Sequence, residues 1–150
     1  MLAVQSVSFV PPPALASGDQ SRALTGVIAD VRRMKANAAA AGLNFARDRL
    51  TGLVEAASKL LLLGRGQLTF TGVRSLMNNA IGAMETLGDA AESGADRSQL
   101  KKMADEFDSL GTRLSAMAGF AARNDDEKKE AAGFQAKIRT ALKRLRDATD

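Results

Sequence analysis

Residues 100–121 read LKKMADEFDSLGTRLSAMAGFA, and in this stretch Leu100, Met103, Phe107, Leu110, Leu114, Met117 and Ala121 are separated alternately by three and four positions. That alternation averages 3.5 residues, so all seven side chains fall on one stripe of an α-helix, in the manner of a coiled-coil seam. A helix of this kind is stable only where its stripe is covered, so further helices are expected on both sides of it in the chain.

Before the stretch, Ser93-Gly94 predicts the end of a helix, and Asp96 with Gln99 has the spacing of a capping arrangement that opens the next. The helix before that stop carries Val73, Met77, Ala80, Met84, Leu87 and Ala91 on its stripe, and Thr69 or Thr71 can cap it. After the stretch, Asn124 with Glu127 opens a last helix. Its acidic first turn suits the helix dipole, and Phe134, Ile138, Ala141, Leu142 and Leu145 point inward.

Toward the N-terminus, Ser17 and Gln20 have capping-box spacing, so a helix is expected from near Asp19, with Leu24, Val27, Ile28, Val31, Met34 and Ala38 as its buried face. A second stripe comprises Phe45, Leu50, Leu53, Val54, Ala57, Leu60 and Leu61. Gly42 and Asn44 offer either a stop followed by a new cap or a tolerated glycine within one long helix; the slip in phase near Arg49 favours a break. Gly64-Arg65-Gly66 reads as a turn, and Gln67 to Thr71 is one of two short stretches with any strand character, the other being the first ten residues. Residues 1–18 are uncharged, include three consecutive prolines and lack a helical period, so they read as a flexible or extended tail ahead of a single helical domain over 19–150. The expected fold is all-α: a four- or five-helix antiparallel bundle or an extended helical hairpin.

Composition narrows the chemistry. The 150 residues contain no His, Cys, Trp or Tyr, which removes the usual neutral-pH base, the thiolate nucleophile and the commonest transition-metal ligands. No cofactor, metal, small-molecule substrate or catalytic dyad is expected. At this length roughly 70% of the unfolded surface can be buried, so a core forms without disulfides. No apolar run approaches the length of a membrane span, because Leu60 to Leu63 are bounded by Lys59 and Gly64. Ala14-Leu15-Ala16 imitates a signal-peptidase site, but no Lys or Arg precedes it.

Two candidate surfaces follow. The first is apolar: the region of Leu61, Leu62, Leu63 and Phe70, together with the seam of Leu100, Met103, Phe107, Leu110, Leu114 and Met117, is expected to contact a protein partner or a second copy. Consecutive leucines cover every side of a helix, so Leu61 to Leu63 cannot all face one core; with Leu68 and Phe70 they form either the core of a hairpin tip or a contact between copies. The second is basic. Lys137, Arg139, Lys143, Arg144 and Arg146 alternate with the apolar stripe of the last helix; they either complement the helix dipole and stay solvated, the favoured reading because no aromatic is interleaved, or offer a site for an acidic groove, nucleic-acid phosphates or anionic membrane. The net charge of +4 is modest for a nucleic-acid binder. Glu85, Asp89, Glu92 and Asp96 form an acidic row read as solvated, since Gly94 interrupts it and calcium-loop spacing is lacking.

Between Leu76 and Gly119, the segments Asn78-Asn79-Ala80, Gly94-Ala95-Asp96-Arg97-Ser98-Gln99-Leu100 and Glu106-Phe107-Asp108-Ser109-Leu110 together resemble the helical hairpin of bacterial flagellins. There, one helix ends in a small polar loop and the next carries a regular apolar seam. The uncharged, Ser-containing tail looks like segments read by type III and flagellar exporters. The resemblance, with the tail, implies a helical protein of flagellar or secretion-associated function; the composition and the apolar seams point to a non-enzymatic protein working through helix–helix contacts.

Overall fold

A computed structural model describes residues 17–63 and 67–149, and all regular structure among them is helical. Five helices follow in order: α1 (Ser17–Ala40), α2 (Asn44–Leu63), α3 (Phe70–Glu92), α4 (Arg97–Ala121) and α5 (Asp125–Thr149). Their lengths of 20 to 25 residues correspond to rods of roughly 30–38 Å, matched well enough to lie side by side along their whole length. The tail reading for 1–18, the Ala14–Ala16 motif and the Gly64–Gly66 turn fall wholly or mainly outside the described residues.

The breaks are written locally. Gly42 has φ 75° and Gly94 φ 92°, left-handed values that an L side chain adopts only at a cost of roughly 1–2 kcal/mol. Each closes the same motif. The Gly42 N–H donates to the Ala39 carbonyl at 3.1 Å and the Leu43 N–H to Ala38 at 2.9 Å; the Gly94 N–H donates to Ala91 at 3.2 Å and the Ala95 N–H to Ala90 at 3.0 Å. These are the paired bonds of a Schellman stop, with Leu43 and Ala95 tucked against the core behind them. The chain therefore turns at Gly42, and no helix runs on from α1 into α2.

Helix starts are equally local. Thr69 Oγ1 accepts from the Gly72 N–H at 3.1 Å, and an Asp96 carboxylate oxygen accepts from the Gln99 N–H at 3.0 Å. Asn124 Oδ1 accepts from the Glu127 N–H at 2.9 Å while Glu127 reaches back to the Arg123 N–H at 2.8 Å. Of the strand-like Gln67 to Thr71, Gln67 to Thr69 are the loop and cap that lead into α3 and Phe70 and Thr71 are its first two residues, because the Thr69 side chain accepts from the Gly72 N–H in a helical start.

The helices form three layers. The α3–α4 hairpin is the middle one: α3 packs against α2, α4 and α5, while α4 packs against α3 and α5 and meets α1 along one edge. The α1–α2 hairpin covers one side and α5 the other. Successive helices are antiparallel, so α3 and α5 run side by side in the same direction, and the fold is a five-helix bundle. The expected stripes of α1, α4 and α5 are all buried. In α3 the buried set widens to include Phe70, Leu76, Ile81 and Ala83, since a helix covered from three directions buries far more than one stripe.

One expected core residue is misplaced. Phe45 is 80% exposed. The buried face of α2 is Ala46, Leu50, Leu53, Ala57 and Leu60, spaced four, three, four and three, and Phe45 lies about 100° off that stripe.

Candidate interaction surface

The C-terminal turn of α2 ends in four leucines, each about 100° from the last around the helix axis. Leu60 enters the core, Leu61 is half-buried against it, and Leu62 and Leu63 face outward with 74% and 81% of their surface exposed. They border a groove of about 1140 Å³ between α2 and α3. Gly52, Val54, Ala56 and Leu60 contribute to its α2 wall, and Thr69, Thr71, Gly72, Ser75 and Asn79 form its α3 wall.

Two glycines bring these walls together. A Cβ on Gly72 would sit 2.6 Å from Leu60 Cδ1, and one on Gly52 would sit 2.8 Å from Asn79 Oδ1. The groove carries one charge of each sign, Glu55 and Lys59, so it is close to neutral as well as apolar. Thr71, Ser75 and Asn79 recur every four residues on the outer face of α3, a spacing legible in the sequence but without meaning until α2 supplies the opposite wall.

The other apolar candidates are corrected. Leu100, Met103, Phe107, Leu110, Leu114 and Met117 are between 0% and 4% exposed and Phe70 is 5% exposed. The seam faces α1, α3 and α5 of its own chain. Its coiled-coil spacing is used within the bundle.

The basic candidates are also largely used within the fold. Arg144 donates through Nε to Glu92 at 3.0 Å and through Nη2 to Glu92 at 2.7 Å and Asp89 at 2.8 Å, joining α5 to the end of α3. The guanidinium lies across Gly88, where a Cβ would come within 3.0 Å of Nη1. Arg146 spans to Asp105 and Asp108 of α4, each at 3.1 Å, and Lys143 meets Asp147 at 2.7 Å. Lys137, Arg139 and Lys143 are exposed, Lys143 with its partner one turn along the same helix. The expected basic face is therefore corrected to two interhelix clamps, Arg144 and Arg146, plus three surface charges. The acidic row, expected to be solvated, supplies Asp89 and Glu92 to the largest of those clamps.

Elsewhere Arg74, which lies 5.2 Å above the Phe70 ring, pairs with Glu130 of α5. The edge between α1 and α4 is polar: Arg113 binds Asp30, and Glu106 accepts from Arg33 and Asn37, each at 3.4 Å. Among the described residues no cluster of acids is arranged to hold a metal ion. No helix among them is long and apolar enough to cross a membrane.

Glu92 and Glu130 are held below their ordinary value of 4.5, chiefly because Arg144 and Arg74 hydrogen-bond their ionised forms. A carboxyl depressed in the folded state binds fewer protons there than in the unfolded chain, so its contribution is complete above the unfolded value and lost as pH falls through the folded one. Both pairs are solvent-screened and the slope is shallow. Urea midpoints measured as pH is lowered from 6 are expected to fall below about pH 4.5. The double variant Glu92→Gln, Glu130→Gln should show a flatter decline; identical slopes would remove these pairs as the cause.

No family model, curated protein or solved structure matches this chain.

Proposed function

We propose that this protein is a non-enzymatic helical interaction module that takes up an apolar protein segment in the α2–α3 groove. The observation that carries this reading is the outward placement of Leu62 and Leu63 on the groove's rim, since two adjacent large apolar side chains left in water beside a cleft mark a contact surface. The neighbouring side chains are mostly small and neutral, which suits an apolar ligand.

The test is a benzophenone photo-crosslinker placed at Lys59 in the cell, with a second placed at Arg139 on the far side of the bundle. A discrete crosslinked partner is expected at Lys59 and should be lost in the double variant Leu62→Glu, Leu63→Glu, whose melting temperature should match the parent's. Equal capture in parent and variant would exclude the groove. A partner captured at Arg139 instead, with binding that weakens steeply with salt, would favour the second reading, contact with phosphate or anionic membrane through Lys137 and Arg139.

The biological setting we infer is flagellar assembly or type III export. It is supported by the resemblance of residues 76–119 to a flagellin hairpin and by the absence of charge from residues 1–18.

A further inference from the structure

We infer that the α2–α3 groove is the seat of the protein's own residues 1–16, so that a partner must displace an internal ligand; this rests on the reading of the groove as a docking surface. The point of departure is the end of the bundle where the groove opens. The Leu68 N–H donates to Gln20 Oε1 at 2.6 Å, which ties the first turn of α1 beside the residue preceding Thr69, itself part of the groove wall. Chain preceding Ser17 therefore starts next to the site.

The composition fits the occupant to the groove. Residues 1–16 carry no charged side chain and include Leu2, Val4, Val7, Phe9 and Val10, all of which favour burial. A neutral segment enters without stripping water from a charge. Ser58, Thr71 and Ser75 line the groove with hydroxyls suited to the main chain of an extended peptide.

The lengths agree. A six-residue polyproline II segment, the form that the three prolines of 11–16 favour, would span about 19 Å, enough to cross the end of α2. Residues 2–10 extend to about 30 Å. The groove from Gly52 to Leu63 follows roughly 17 Å of helix. A tether this short gives the tail an effective concentration on the order of millimolar, above that of a second copy in ordinary solution.

The absence of cysteine makes the test direct. A nitroxide on Ser8→Cys of the full chain should remove most of the methyl signal intensity of Leu62 and Leu63 and leave Leu142, at the far end of α5, unchanged. Adding Phe9→Asp should restore the Leu62 and Leu63 signals. A mixture of nitroxide-bearing chains with separately isotope-labelled chains should show no loss, because the contact is within one chain. Loss in the mixture equal to that in the single chain would overturn the inference in favour of exchange between copies, and full intensity at Leu62 and Leu63 in the single chain would overturn it outright. In that last case the dye anilinonaphthalene sulfonate separates the two readings. Dye fluorescence abolished by Leu63→Asp would leave the groove standing as a docking surface without its tail, whereas fluorescence indifferent to Leu63→Asp would remove both.

Discussion

Phe107→Ala is expected to destabilise the protein by about 3–5 kcal/mol. Phe107 is fully buried and heads the largest such side chains in the molecule. It sits midway along α4, with α3 and α5 packed against that helix and α1 at its edge, so the space left by the ring cannot be closed by one neighbour moving inward. Domains are stable by only about 5–15 kcal/mol in total, and the loss is a large share of that. The check is urea unfolding followed by helical circular dichroism: the midpoint should fall with the slope unchanged, and the thermal midpoint should drop by roughly 10 °C or more. Phe45→Ala supplies the contrast. Its ring is 80% exposed, and removal should change stability by no more than about 0.5 kcal/mol. A small effect at Phe107 would mean that α4 is not central.

Leu110→Asp is expected to abolish the folded state at neutral pH, while Leu62→Asp leaves it intact. Leu110 is 2% exposed and Leu62 is 74% exposed. A carboxylate at Leu110 would have to shed its water in the buried seam of α4, a penalty of several kcal/mol on top of the lost leucine packing. At Leu62 the same charge stays hydrated. Circular dichroism and sedimentation of the two variants decide the matter: Leu110→Asp should give loss of helix or aggregation, whereas Leu62→Asp should keep the parent's melt and lose only partner capture. If both variants melted like the parent, the seam would not be core. If both unfolded, the groove would be structural.

These contrasts show how much was legible beforehand. The stripes of α1, α4 and α5 were readable because a buried face repeats every three to four residues and needs no knowledge of what covers it. The caps at Asp96 and Asn124 and the stop at Gly94 were readable because their bonds close within about five residues; Thr69 and Thr71 both offered a cap, and Gly42 was a stop only once its left-handed φ was fixed by the fold. Phe45 was misread because the aromatic ring outweighed the small Ala46 as an apparent core residue, although Phe45 stands one residue, about 100°, off the stripe that Leu50 and Leu53 define.

The basic helix was misread for a different reason. Arg144 reaches residues 52 and 55 positions away, Arg146 residues 38 and 41 away, and nothing local distinguishes a cation with a distant partner from one facing water. The seam of α4 was recognised as apolar, yet its spacing is the same whether a second chain or three helices of its own chain cover it. Periodicity and capping are properties of short stretches, so this sequence by itself determined an all-α bundle, most of its helix ends and most of its inward faces, while leaving four helices or five open at Gly42. Which helices become neighbours, which arginines are spent in clamps, and which of Leu60 to Leu63 remain in water were decided only by the tertiary structure, because each depends on side chains brought together from distant parts of the chain.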